Sequence, residues 1–335
     1  MTHEFKDIIA QAIANQERGL KSVLATVVYL EGSSYRKPGV RMLISEDLKM
    51  TGAVSGGCVE AEVRRQTTSV FEDGKSKMMT YDGRYRLGCE GTLYILIELI
   101  SITEVFTTVF KKTLDSRKTF ILDSYFSTQD EAIGNYGSVF RLEDGYTYPF
   151  NKTIDIEGLQ KFSQALNPSP RLIIIGAEHD AVKLCKMSSL LGWEIDVIAS
   201  INDPKQRSDF PGATSVIDST PELVDLNIDN ETIVVVMTHN YALDLKYLLR
   251  LVEEKAKYIG ILGSAKRRER LLNDLLDHKE ELDEAFLDRI YSPAGLNIGA
   301  ITPEEIALSI LSEILAIVRN TNPVSLRTLS GKTYA

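Results

Sequence analysis

Cysteine is scarce in this chain, and its spacing is uninformative. Only Cys58, Cys89 and Cys185 occur, with no CxxC pair among them. That excludes a structural zinc ribbon and leaves too few thiolates for even one four-cysteine iron–sulfur cluster. An odd trio also fits a reducing compartment better than a disulfide framework. Positive charge is short as well. The 38 Lys and Arg face 47 Asp and Glu, for a formal net charge of −9. Nucleic-acid binding depends on a basic surface that releases counterions, so no nucleic-acid partner is expected. No apolar run approaches the roughly 20 residues of a membrane span. The opening MTHEFKDIIAQAIANQERG is amphipathic and lacks the layout of a signal peptide. A cytoplasmic protein with no membrane partner is therefore expected, and the sequence contains neither repeats nor low-complexity segments.

What is present is ordinary for a soluble globular chain: 44% hydrophobic and 25% charged residues over 335 positions. That length accommodates two domains. Residues 1–165 read as a mixed α+β domain. An opening helix leads into the strand-like SVLATVVYLEG, then RMLIS and MTGAVS. A helix follows from Val59, with SKMMTYD, GTLYILIELI, TFILDSY and YGSVFRL as further strands and TEVFTTVFKKTL as a helix. The polar stretch NKTIDIEG and the NPSP cluster read as a linker. Residues 168–335 change style. RLIIIG, EIDVIAS, ATSVI, TIVVVMTH and YIGILG are short apolar runs, most of them separated by helical stretches. That alternation predicts an α/β fold, a Rossmann-like doubly wound parallel sheet.

Several positions in the second half are candidate ligand contacts. RLIIIGAEHDA occupies the place of a dinucleotide G-x-G-x-x-G, with Gly176 first but Glu178 second and Ala181 third. A carboxylate at the second position opposes a pyrophosphate, and EIDVIAS ends in Ala199 and Ser200 instead of a ribose-binding acid. Asp203 is the nearest substitute. NAD(P) in the usual pose is thus disfavoured, although an NAD(P)-dependent oxidoreductase stays an alternative. Thr238, His239 and Asn240 follow a buried strand where open α/β sheets hold ligands; His239 reads equally as a ligand contact or a neighbour of a helix cap. Gly263, Ser264, Lys266, Arg267 and Arg268 offer either an anion site at a helix start or a tight turn with a solvated basic face. Thr302, Pro303 and Glu305 form a predicted capping box, and the glycine-bearing loop at residues 295–299 before it could lie against a ligand.

The first half holds the more reactive pattern. In VSGGCVE, Ser55, Gly56, Gly57, Cys58 and Glu60 sit where a strand gives way to a helix. The stretch reads as a phosphate cradle, an activated thiol, or a tight turn with an inert buried cysteine. It has no Walker lysine. A helix N-terminus lowers a thiol pKa, and Glu60 works against that. Cys89 lies in a second glycine-flanked loop, between Gly88 and Gly91, preceded by Arg84 and Arg86. GSSYRKPGVR adds Ser33, Ser34, Arg36, Lys37 and Arg41. If the three loops meet at one end of a sheet, they make a basic, glycine-lined site with soft thiols. Such a site suits a small molecule bearing phosphate together with sulfur or a metal.

These same blocks carry a family resemblance. GSSYRKPGVRMLI, GAVSGGCVEAEV and LGCEGTLYILIE resemble the N-terminal domain of the xanthine dehydrogenase accessory (XdhC/CoxI) family. THNYALDLKYL, IGILGSAKRR and SPAGLNIGAITPEEIALSILSEI resemble its C-terminal Rossmann-like domain. The resemblance implies a chaperone that binds the molybdenum cofactor (molybdopterin), supports its sulfuration and helps insert it into a xanthine dehydrogenase-type molybdoenzyme. A cysteine desulfurase and a homodimer are the further partners it suggests. By position it implies cofactor contacts at Arg36, Arg41, Ser55, Gly56, Gly57 and Glu60, with Cys58 as molybdenum ligand or sulfur-holding thiol and Cys89 as a second thiol. Gly176, His179, His239, Asn240, Gly263 and Ser264 are further candidate cofactor contacts in the second domain. Two blocks depart from the family pattern: Gly176-Ala177-Glu178-His179 stands for GAGH, and Gly88-Cys89-Glu90-Gly91 replaces Cys-Gly-Gly. Three cysteines cannot supply the iron–sulfur path of xanthine dehydrogenase, so the isolated chain is not expected to act as that enzyme.

Overall fold

The computed structural model describes residues 2–32, 34, 37–83, 91–151, 154–279 and 282–328. The backbone separates into two units, Met1–Pro168 and Ser169–Leu329. In the first, the chain runs α1 (Thr2–Glu17), β1 (Ser22–Glu31), β2 (Arg41–Ser45), β3 (Met50–Gly52), α2 (Cys58–Asp73), β4 (Ser76–Asp82) and β5 (Thr92–Ile100). It continues through α3 (Glu104–Asp115), β6 (Phe120–Phe126), β7 (Ile133–Gly134), β8 (Gly137–Leu142), β9 (Thr147–Pro149) and β10 (Gln160–Leu166).

One antiparallel sheet has the order β3-β2-β1-β5-β4-β7, and a second has β10-β6-β8-β9. Because strand side chains alternate, β1 buries both faces. Val23, Ala25 and Val27 pack under α2, whose Val59, Val63 and Val70 form its apolar stripe. Leu24 points the other way, into a core shared by α1 (Phe5, Ile8, Ile9), α3 (Phe106, Phe110) and the second sheet (Phe120, Phe140). The phenylalanines meet edge-on, as in Phe5–Phe110 at 5.8 Å and 90°, the geometry ring quadrupoles favour. A β-bulge interrupts β1 between Val27 and Tyr29. Beyond it Tyr29 lies opposite Tyr94, their ring centroids 5.3 Å apart and tilted by 57°.

Two details differ from the sequence reading. The strand in MTGAVS stops at Gly52, whose φ is +81° and whose Cβ, if present, would sit 2.7 Å from the Arg41 carbonyl oxygen. Between the two stretches read as a linker lies β10, an edge strand that among the described residues pairs with β6 alone. Its mostly polar sequence follows from having one face in water.

The second unit runs β11 (Arg171–Ile175), α4 (His179–Leu190), β12 (Glu194–Ser200), β13 (Ser215–Ser219), β14 (Thr232–Val236), α5 (Tyr241–Leu251) and β15 (Tyr258–Ile261). Then come α6 (Ala265–His278), α7 (Glu284–Leu287), β16 (Ile290–Tyr291) and α8 (Pro303–Val318). All six strands are parallel, in the order β13-β12-β11-β14-β15-β16. This is the doubly wound order of a Rossmann fold, with its switch point between β11 and β14. Helices α4 and α8 cover one face and α5, α6 and α7 the other. Between β12 and β13 a 3-10 turn at Arg207–Asp209 connects the strands.

The predicted capping box is present. The Thr302 hydroxyl accepts from Glu305 N–H at 3.3 Å, and the Glu305 carboxylate accepts from Thr302 N–H at 2.9 Å. Replacing Thr302 with alanine should lower stability by about 1 kcal/mol, while serine should preserve it. The denaturation midpoint followed through Trp193, which packs in the same core as α8, measures this.

Candidate functional site

Strand register brings together the strand ends that flank three loops of the first unit. Glu31 pairs with Thr92, and Thr92 pairs with Asp82. On the other side of β1, Thr26 pairs with Arg41 and Met42 with Gly52. The strand ends that carry loops 32–40, 53–57 and 83–91 therefore lie at one end of one sheet. Gly83 N–H donates to the Gly91 carbonyl at 3.0 Å, closing the foot of the third loop. Ser33, Arg36, Arg84, Arg86, Gly88 and Cys89 fall outside the described residues, as does the side chain of Cys58.

At this end, α2 begins over an open cleft of about 410 Å³ lined by Met42, Met50, Ser55, Gly57, Glu60 and Arg64 among others. Gly57 is the residue before the helix, with φ 74° and ψ −67° and no side-chain cap. That left-handed conformation favours glycine. A Cβ added to Gly56 or Gly57 would meet nothing within 4 Å, so the backbone here is open to an approaching group. Val59 and Val63 are fully buried and fix the helix on the sheet. They leave Glu60 at the cleft wall, only 8% exposed. Its Oε1 accepts from Ser55 N–H at 2.6 Å, while its Oε2 is buried with no hydrogen-bond partner. Arg64 lies one helical turn further on and lines the same cleft. The cleft thus joins an open glycine backbone at a helix start, one unmet buried acceptor, a cation and the exposed thioether of Met50.

Arg41 is not part of this cleft. Alternation along β2 sends Met42 under α2 and Arg41 to the opposite face, over the Phe5 ring at 5.8 Å. Its Nη1 donates to Gly39 O at 2.8 Å and to Gln164 Oε1 on β10. Its Nε and Nη2 are buried without partners. Burial pushes the guanidinium pKa down to about 10. On the same side, Glu98 of β5 is fully buried and holds Ser138 through N–H (2.8 Å) and hydroxyl (2.6 Å). Sequence reasoning missed Glu98, Met42, Met50 and Arg64. The signal for Glu98 was an acid inside the apolar run LYILIELI.

In the second unit, the candidates gather at the switch point. Gly176 has φ 126°, and a Cβ there would lie 2.4 Å from the Met237 carbonyl oxygen. Its glycine is required by close passage of β11 and the chain leaving β14. Glu178 precedes α4 without capping it, and His179 opens the helix. His239, at φ 56°, places Nε2 3.4 Å from Asp180. Asn240 caps α5, accepting from Ala242 and Leu243 N–H, and Ser264 caps α6, accepting from Arg267 N–H. Buried Asp244 accepts from the Thr238 hydroxyl (2.6 Å) and from Arg267 (2.6 Å). Asp180 and Asp244, the partners of His239 and of Thr238 and Arg267, are residues that sequence reasoning did not name. Asp203 pairs with Lys205 at 2.7 Å. The third cysteine, Cys185, is a core residue whose thiol burial pushes up to about 11. Among the described residues, no group of three or more His, Cys, Asp or Glu is arranged to hold a metal ion. Among them, too, no helix is long and apolar enough to cross a membrane.

Fold and site together define a two-unit α/β protein: an antiparallel-sheet unit with a cleft at a glycine–helix junction, followed by a Rossmann unit. The profile of the XdhC Rossmann domain matches residues 172–314, and that of the XdhC and CoxI family matches residues 16–82. A Bacillus subtilis (strain 168) protein, named as a probable subunit of xanthine dehydrogenase, is 31% identical over 93% of this chain and 96% of its own length. The Escherichia coli (strain K12) molybdenum cofactor insertion chaperone PaoD is 23% identical over 95% of this chain and 90% of its own. A crystal structure described as a xanthine dehydrogenase from Bacillus halodurans superposes with a TM-score of 0.76 at 28% identity, covering 95% of this chain and 97% of that one. The chain belongs to the XdhC and CoxI family.

Proposed function

We propose that this protein is an accessory chaperone that holds the molybdenum cofactor, supports its sulfuration and assists its insertion into a xanthine dehydrogenase-type molybdoenzyme. The observation that carries this reading is the cleft where α2 begins. Molybdopterin combines an anionic phosphate, a planar ring with N–H donors and a soft metal–sulfur centre. The residues present fit each part. The open backbone of Gly56 and Gly57 at a helix start and the Arg64 guanidinium suit the phosphate. The unmet Glu60 Oε2 suits a donor. Cys58, the first residue of α2, provides a soft ligand for the metal or a thiol for the terminal sulfur. When bound, the cofactor supplies the centre that receives the sulfur. The chain's own role would be to hold the cofactor at this cleft, where Cys58 opens α2.

The relatives' names support this reading, since one is a named insertion chaperone and another is named for xanthine dehydrogenase. A cysteine desulfurase as sulfur donor, a cytoplasmic location and a homodimer complete the proposal, with residues 1–165 as the cofactor-handling domain. Gentle anaerobic purification from cells that make the cofactor should yield near-stoichiometric molybdopterin with the wild-type chain. Cys58→Ala should retain several-fold less. A wild-type chain with no affinity for the cofactor under these conditions would overturn the reading. The isolated chain should show no hydroxylase activity.

A further inference from the structure

Glu60 occupies an unusual position for an acid. It lies at the wall of a cleft proposed to hold an anionic cofactor, yet it is more than nine-tenths buried. One oxygen has a structural duty, since Oε1 accepts from Ser55 N–H at 2.6 Å and so ties the loop before α2 to the helix. The other oxygen, Oε2, has neither a hydrogen-bond partner nor exposure to bulk solvent. A buried acceptor left unmet is destabilising, so native proteins supply such groups with a donor. Among the described residues, no side chain lining the cleft makes that hydrogen bond.

That requirement discriminates among the parts of the ligand. A phosphate or a metal-bound sulfur offers no donor and would be repelled by a carboxylate. The amino–oxo edge of a pterin ring presents an exocyclic amino group next to a ring N–H, both donors. Met50, an exposed side chain, lines the same cleft. Thioethers are polarizable and pack well against the edge or face of a flat heterocycle. Arg64 and the open amides at Gly56 and Gly57 remain for the anionic end.

We infer that Glu60 is the residue that recognises the amino–oxo edge of the pterin, through its unpaired Oε2, while Oε1 keeps the Ser55 turn in place. The inference rests on the cofactor-binding reading above and adds to it the orientation of the ring: its amino edge lies against α2 at Glu60.

The test uses two fluorescent probes that differ by one group: a pterin carboxylate and the matching lumazine carboxylate, in which an oxo group replaces the amino group. The wild-type chain should bind the pterin about tenfold or more tighter than the lumazine, the usual scale for a hydrogen bond to a charged partner. Glu60→Gln retains an acceptor for Ser55 but turns its NH2 group, a donor, toward the ring, and should abolish that preference. Arg64→Ala should weaken both probes alike and leave the preference intact. If Glu60→Gln fails to fold, as shown by circular dichroism, the wild-type and Arg64→Ala preferences decide the matter. Equal affinity for the two probes, no binding of the pterin, or a preference retained in Glu60→Gln each overturns the inference. Molybdopterin content of the same preparations separates the two levels. A wild-type chain that retains the cofactor yet ignores the amino group overturns the role of Glu60 alone. One that retains no cofactor overturns the functional reading itself.

Discussion

Between pH 4.5 and about 7, the first unit is expected to lose about 3 kcal/mol of stability through Glu98 alone. Burial is the main cause: it raises the carboxyl from its ordinary 4.5 to about 7, against the opposing pull of Ser138 and, more weakly, of Arg41. The folded chain therefore holds this proton more tightly than the unfolded chain. The stabilisation is complete below pH 4.5, declines as pH rises through 7, and levels off above it. At about 1.4 kcal/mol per pH unit, that span gives the stated magnitude. Urea titrations at several pH values, followed by far-ultraviolet circular dichroism, measure the slope. Glu98→Gln should flatten it while keeping an acceptor for Ser138. The single tryptophan, Trp193, belongs to the second unit, so its fluorescence provides an internal control. A slope unchanged in Glu98→Gln would assign the proton to another group.

Gly176→Ala is expected to destabilise the second unit by about 2–5 kcal/mol. Two effects combine. A φ of 126° is a conformation that alanine resists, and the new Cβ would lie 2.4 Å from the Met237 carbonyl oxygen, a backbone atom that cannot swing aside. Trp193 fluorescence should report an early unfolding transition, and hydrogen exchange should accelerate in β11 and β14. Gly56→Ala is the contrasting case. Its Cβ would meet nothing within 4 Å, so stability should change by less than about 1 kcal/mol. A small effect at Gly176 would mean that β11 and the segment after β14 can separate to admit a methyl group. The two glycines look alike as motif letters, but one is demanded by packing and the other leaves the backbone accessible.

That contrast marks how far the sequence could be read. Continuous apolar runs made β11, β14 and β15 legible, because parallel strands covered on both faces need no polar positions. The Thr302 cap was legible because its chemistry is local. Edge strand β10 was not, since solvent exposure gives it the composition of a loop. The direction of Arg41 was hidden too. Motif proximity placed it with Ser55 and Cys58, but strand alternation sends it to the other face. The bulge in β1 has no compositional signature, and beyond it the register sets Tyr29 opposite Tyr94. Of the cleft, the sequence named Ser55, Gly57 and Glu60, whereas Met42, Met50 and Arg64 become visible only once α2 lies across the sheet.

The hydrogen bond between Gly83 and Gly91 has an evolutionary consequence. It completes the β4–β5 ladder before residue 84 begins, so the sheet's folding does not depend on what residues 84–90 contain. That segment can be lengthened, shortened or rewritten between relatives while the strands keep their register. What joins Gly83 to Gly91 can thus change in sequence while the strands beneath it stay under separate selection.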